Sequence, residues 1–303
     1  MGHLIAQTRH LNFSFSSSKK ILHDLNLNIP QGSIYCFLGP NGAGKTTTLR
    51  LLLGLLKADQ NAISIFDQQL FFNRMSILRR VGALIEEPSV YLHLTGRENL
   101  KIYRLSYSCD KKRVDEVLEI VDLHHAGRER VKTYSLGMKQ RLGIAIALLH
   151  DPEFLILDEP TNGLDPQGII EIRQLIKRLN TNFRKTILIS SHLLSEVEKM
   201  ATHFGIIHKG RLLFQGSRDA LLKFSSESQR IELETTNNEK AAALLGDRFL
   251  VRNINDCVLQ VSSVGKEQIP TLSAFLMKEN IGIYKIGVLA NNLEDIFIEM
   301  VSS

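Results

Sequence analysis

One stretch constrains this chain more than any other: Gly39-Pro40-Asn41-Gly42-Ala43-Gly44-Lys45-Thr46-Thr47. Its spacing (Gly39, four residues, then Gly44, Lys45 and Thr46) is that of a loop that cradles phosphate. The apolar run Ile34-Tyr35-Cys36-Phe37-Leu38 precedes it and reads as a buried strand. Leu49, Leu51, Leu52, Leu53, Leu55 and Leu56 follow in a helical pattern. Glycines let backbone curl round an anion where a Cβ would block it. The loop N–H groups then point inward at the positive end of a helix. In such a loop the lysine, Lys45, reaches the β- and γ-phosphates, and the Thr46 hydroxyl ligates Mg²⁺.

The rest of the N-terminal part alternates strand and helix. Phe154–Leu157 and Thr186–Ile189 read as fully buried strands, with a helix over Pro166–Leu179 between them. Such alternation predicts a mostly parallel sheet covered on both faces. Short strands are expected at Ile63–Phe66 and Val81–Ile85. The stretch from Glu87 reads as loop, turning helical from about Arg97. A helix is placed near Asp110, read as its N-cap, because Val114, Val117, Leu118 and Val121 share one helical face. Another helix runs over 137–150. Ile206–His208 and Arg211–Phe214 flank Lys209-Gly210 as a hairpin, and Ser217 caps a short helix to about Phe224.

With 303 residues the chain has room for a large domain and a small one. Ser225-Ser226-Glu227-Ser228 is the linker candidate, giving domains 1–224 and 225–303. Beyond it the pattern reads βαββαβ, a ferredoxin-like split unit, followed by a helix carrying Leu293, Ile296, Phe297 and Met300. The nearest candidates for a membrane span, Leu51–Leu56 and Ile144–Leu149, are far too short to cross a bilayer. No secretory signal pattern opens the chain. Cys36, Cys109 and Cys257 are scattered without ligand spacing, which suits a reducing cytoplasm. A net charge of +5 singles out no partner.

Further motifs stand in a fixed order around the loop. The strand Phe154-Leu155-Ile156-Leu157 ends in Asp158 and Glu159. Downstream of a phosphate loop, Asp158 suits the water shell of Mg²⁺, and Glu159 stands where a general base polarises water. Tyr134-Ser135-Leu136-Gly137-Met138 lies upstream of that strand, and Asn162-Gly163-Leu164-Asp165 follows it. Ser190-Ser191-His192 ends the next strand, at the edge where open α/β sheets bind ligands.

Together these motifs resemble the nucleotide-binding subunits of ABC transporters over about residues 4–222. The resemblance implies an α/β P-loop NTPase with a mostly parallel core sheet, an antiparallel N-terminal β region and a helical subdomain about 88–150. A small α+β C-terminal domain would follow. By this resemblance Gly39, Pro40, Asn41, Gly42, Ala43, Gly44, Lys45, Thr46 and Thr47 hold ATP. Asp158 and Thr46 serve the Mg²⁺, Glu159 is the catalytic glutamate, Asp165 the D-loop aspartate, and His192 the switch that senses the γ-phosphate. Phe15 stacks on adenine, with Phe13 as its competitor. The implied assembly is a head-to-tail dimer, with a second copy or a paired ATPase subunit, each ATP lying between Lys45 of one chain and Ser135 and Gly137 of the other. A separate transmembrane permease completes it, placing the chain peripherally on the cytoplasmic face of the membrane.

Two departures stand out. Leu136 replaces a glycine usual in the signature. Glu86, in Val81-Gly82-Ala83-Leu84-Ile85-Glu86-Glu87-Pro88, stands where the family carries glutamine. A carboxylate is the stronger Mg²⁺ ligand but repels the γ-phosphate, so Glu86 joins both the catalytic and the metal candidates. With Leu94-Thr95-Gly96-Arg97-Glu98-Asn99-Leu100, this acid resembles the subgroup serving bacitracin-type and lantibiotic-type peptide export or self-immunity. Exporters of lipid, sodium or small drugs share the same catalytic residues. Soluble relatives acting on nucleic acid or the ribosome carry paired cassettes or long coiled coils; this chain has neither pattern, so no nucleic-acid partner is expected.

Overall fold

The computed structural model describes residues 3–16, 19–86, 88–226, 230–246, 248–255, 258–262, 266–289, 297 and 300–301. Glu87, Glu227, Ser228, Cys257, Leu293 and Ile296, all named above, lie outside the described residues. The chain divides into two compact units, Met1–Arg218 and Asp219–Ser303.

In the first unit, β1 (Leu4–Thr8), β2 (Leu11–Ser16), β3 (Lys19–Leu25) and β4 (Asn28–Pro30) lead into β5 (Ile34–Leu38) and α1 (Lys45–Leu52). Then come β6 (Ile63–Ile65), β7 (Gln68–Gln69), α2 (Leu70–Leu78) and β8 (Val81–Leu84). Helices α3 (Gly96–Tyr107), α4 (Arg113–Ile120) and α5 (Leu136–Leu148) follow. Next are β9 (Phe154–Asp158), α6 (Pro166–Thr181), β10 (Thr186–Ser191), α7 (Leu194–Val197), β11 (His203–His208) and β12 (Arg211–Ser217).

The central sheet has the order β12-β11-β5-β10-β9-β8. Every pairing in it is parallel except the β11–β12 hairpin. All residues of β5, β9 and β10 are buried, as both faces of a parallel sheet demand. A separate antiparallel sheet, β4-β1-β6-β7, and the β2–β3 hairpin form the N-terminal β region. Leu11, Leu22, Leu25, Leu49, Leu52 and Phe154 share one core, so this region and α1 are packed as one body.

Register positions the site. Ser190 pairs with Asp158 across β10 and β9, and Ser191 with Leu38 across β10 and β5. The carboxyl ends of three buried strands therefore meet where the loop at Gly39 begins. The turn at Lys209-Gly210 adds a clamp: Gly210 N–H donates to Ala43 O at 3.0 Å, and His23 N–H donates to Gly210 O at 2.9 Å.

Local differences from the sequence reading have physical causes. Helix α2 had no counterpart in it. Only Leu70 and Ile77 of α2 are buried, while Phe71, Phe72 and Met75 face solvent and the backbone leaves helical geometry at Asn73. Helix α4 starts at Arg113, because Asp110 makes a turn instead: its Oδ1 accepts the Lys112 N–H at 2.8 Å.

Helix α3 begins with a reciprocal cap. Thr95 Oγ1 accepts the Glu98 N–H at 3.1 Å, and Glu98 Oε2 accepts the Thr95 N–H at 2.8 Å. Buried Asn99 ties the preceding loop down, bonding Tyr91 N–H, Tyr91 O and Thr95 O. Thr95→Ala is expected to cost about 1 kcal/mol in urea unfolding of the full chain; a variant indistinguishable from the parent contradicts this cap's role.

The second unit opens with α8 (Arg218–Ser226), which the boundary of the two units cuts after its first residue, so the serine stretch begins inside a helix. It continues with β13 (Arg230–Thr235), α9 (Asn238–Gly246), β14 (Leu250–Asn255), β15 (Val258–Ser262), α10 (Ile269–Lys278) and β16 (Ile283–Leu289). This is the βαββαβ order, with an antiparallel sheet β14-β15-β13-β16 over a core of Ile231, Leu233, Leu245, Leu259, Leu272 and Leu276. Phe297 and Met300 are helical.

Candidate functional site

The loop between β5 and α1 holds its shape through two glycines. Gly44 sits at φ 109, a conformation that L side chains rarely adopt, and a Cβ there would lie 2.7 Å from Leu22 Cδ2. At Gly39 a Cβ would lie 2.4 Å from Ile207 O. Helix α1 has no side-chain cap and no acid in its first turn, so its leading N–H groups stay available to an anion.

Lys45 is 5% exposed, yet its Nζ is fully engaged. It donates to Gly39 O at 2.7 Å and to Pro40 O at 3.3 Å, and lies 3.2 Å from Glu159 Oε1. The other Glu159 oxygen, Oε2, is 2.8 Å from His192 Nδ1. A carboxylate only accepts, so that ring nitrogen carries the proton. Glu159 is thus held between two cationic or donor groups at the end of a buried strand. Its own backbone is left-handed, with φ 46, a strain of the kind concentrated at functional sites.

A cavity of about 490 Å³ opens over this group, within the range of small-molecule sites. Asn41, Gly42, Gly44, Lys45, Thr46 and Thr47 line it from the loop, facing Glu159 and His192. Lys19 and Ile21 of β3 and Asn162 also line it. Sequence reasoning assigned none of these three to the site. Asn162 stood in a quoted motif, while Lys19 and Ile21 arrive only through the hairpin fold. Burial, with the nearby Glu159 charge second, pushes the Cys36 thiol well above its usual range, so this buried cysteine is an inert core group.

The other candidates divide. Asp158 is buried, and its Oδ1 accepts the Ser190 hydroxyl. Phe15 is 62% exposed on β2, edge-on to Phe13 at 4.9 Å, whereas Phe13 is packed against the core. Of the two rings Phe15 is the exposed one, on the strand paired with the one that supplies Lys19. Ser135, Gly137 and Asp165 are not among the residues lining the cavity. Ser135 caps α5, its Oγ accepting the Met138 N–H at 3.2 Å, and Asp165 caps α6, its Oδ1 accepting the Gly168 N–H at 3.0 Å. Ser135 and Leu136 lie exposed, so the start of α5 is open to an outside ligand. Glu86 is exposed with φ 62, and its carboxylate is engaged by Arg50 of α1.

A family model described as ABC transporter matches residues 22–162. The chain is 45% identical over 302 residues to the bacitracin transport ATP-binding protein BcrA of Bacillus licheniformis, spanning 98% of this chain and 97% of that one. It is 43% identical over 201 residues to the lantibiotic transport ATP-binding protein SrtF of Streptococcus pyogenes, spanning 66% of this chain and 86% of that one. Among solved structures, cbiO1 of Clostridium perfringens, part of the ABC transporter complex cbiONQ, superposes with a TM-score of 0.67 at 26% identity, over 74% of this chain and 94% of that one.

Proposed function

We propose, from the premise that this chain belongs to the ABC transporter ATP-binding family, that it powers export of a peptide antibiotic of the bacitracin or lantibiotic kind through a separate permease. The chain is an ATP-hydrolysing subunit. The observation that carries the site assignment is Glu159, aimed into the loop cavity and bridging Lys45 and His192.

In this reading the loop N–H groups and Lys45 take the β- and γ-phosphates, and Lys45 exchanges its Glu159 contact for a phosphate oxygen. Glu159 then accepts the proton of the attacking water, while His192 holds the carboxylate in place and faces the γ-phosphate. Phe15 stacks on the adenine. The donor set suits magnesium: the Thr46 hydroxyl and Asp158 carboxylate are hard oxygens, and this ion keeps waters and phosphates as its remaining ligands. Bound there with ATP, it would neutralise phosphate charge. Glu86 does not line the cavity, and its carboxylate is paired with Arg50; in this reading it would serve the cation only when that pair opens, and the pairing offsets the repulsion a free carboxylate would bring against phosphate.

The site is completed by a second copy placed head to tail, whose Ser135 and Gly137 meet the γ-phosphate at the exposed start of α5, with Asp165 alongside. No helix among the described residues is long and apolar enough to cross a membrane. We assign the chain to the cytoplasmic face of the membrane, held there by the permease. The 225–303 domain is assigned to bracing or regulation, since its sequence supplies no recognisable catalytic motif. Co-expression with the permease is expected to raise a sensitive host's tolerance to such peptides, and Glu159→Gln to abolish the gain. Unchanged tolerance from a complex that hydrolyses ATP would point to another cargo.

A further inference from the structure

Ser190 is the next-to-last residue of β10 and is fully buried. Its hydroxyl has two partners. It donates to Asp158 Oδ1 at 2.5 Å and accepts the Glu159 N–H at 2.9 Å. One oxygen thus grips both neighbours at the end of β9, across a strand pairing in exact register with Asp158. A buried hydroxyl without partners would be costly; this one has its donor used and an acceptor site filled. The Glu159 N–H needs such a partner, because the residue's left-handed φ of 46 takes it out of the regular ladder. Adjacent Ser191 does different work: its Oγ accepts the Leu193 N–H at 3.0 Å and shapes the turn around His192.

We propose that Ser190 is a positioning residue for ATP hydrolysis. Its hydroxyl fixes Asp158 and Glu159 in one relation, so that the carboxylate serving the cation and the carboxylate serving the water are aimed together. The role acts through these two residues, since Ser190 does not line the cavity. The proposal rests on the ATP-hydrolysis reading above.

The test uses the purified full chain with Ser190→Ala, Ser190→Thr and Ser190→Cys. Turnover is measured against ATP concentration, and equilibrium ATP binding is measured with Mg²⁺ and with EDTA. Ser190→Ala is expected to lower kcat about 10- to 100-fold, the loss of a hydrogen bond to a charged group, with KM changed by less than about threefold. ATP affinity in EDTA stays at the parent value, while the gain on adding Mg²⁺ shrinks. Ser190→Thr, which keeps the hydroxyl, recovers most of the turnover. Should Ser190→Ala fail to fold, Ser190→Cys carries the test, keeping the volume with only a weak donor, and is expected to lose turnover in the same way.

Parent-like kcat in Ser190→Ala or Ser190→Cys overturns the proposal. Equal loss of affinity with and without Mg²⁺ also overturns it, because that marks collapse of the phosphate loop. A parent chain that binds no ATP overturns the reading of the whole site, whereas an active parent matched by an active Ser190→Ala overturns Ser190 alone.

Discussion

Glu159→Gln lowers ATP turnover by about 100- to 10,000-fold while ATP binding survives. The amide has the shape of the carboxylate but accepts no proton from water. Its backbone anchor, the N–H to Ser190 Oγ, is untouched, so the side chain keeps its place. Binding is expected to tighten, because the carboxylate that stands 3.2 Å from Lys45 Nζ competes with phosphate for that cation. Removing its charge frees Lys45 for the ligand. The predicted product is a nucleotide-loaded dimer that does not reset, visible as an ATP-dependent shift in size-exclusion chromatography. Phosphate release gives the rate, and turnover near the parent value would remove Glu159 as the base.

Lys45→Ala is expected to weaken ATP binding by about 100-fold and to leave no measurable turnover, the scale of losing one partner of a desolvated, hydrogen-bonded charge pair. The fold should survive the change. Glu159 keeps His192 as a partner, and Lys45 itself lines the cavity, so water can take the place of its ammonium against Gly39 O and Pro40 O. Equilibrium binding of a fluorescent ATP analogue gives the affinity, and thermal unfolding without nucleotide gives the stability. Binding lost together with most of the stability would make Lys45 a structural residue and contradict this account.

The legible parts of the chain were those written in local pattern. Strand β5, the loop and α1 are contiguous, and their periodicity and glycines state the geometry directly. The buried runs of β9 and β10 were equally plain, since a strand covered on both faces shows no polar alternation. Glu159 and His192 stood out at the ends of buried strands, the family resemblance added their roles, and the structure brings both to the loop cavity. Helix α2 was hidden because Phe71, Phe72 and Met75 put its apolar signal on the solvent side. The contributions of Lys19 and Ile21 depend on how a hairpin closes over the loop, and no periodicity records that. The same holds for Ser190 with Asp158 and for Arg50 with Glu86. Each pair is distant in sequence and meets only when parallel strands or a helix and a loop settle into place.

The central claim is that the Gly39–Thr47 loop holds the triphosphate of ATP. Calorimetric titration of ATP with Mg²⁺ into the full chain tests it most directly, with Lys45→Ala as the paired sample. The account predicts saturable binding of one ATP per chain, lost in the Lys45 variant. No binding by the parent, or equal binding by both, would contradict it.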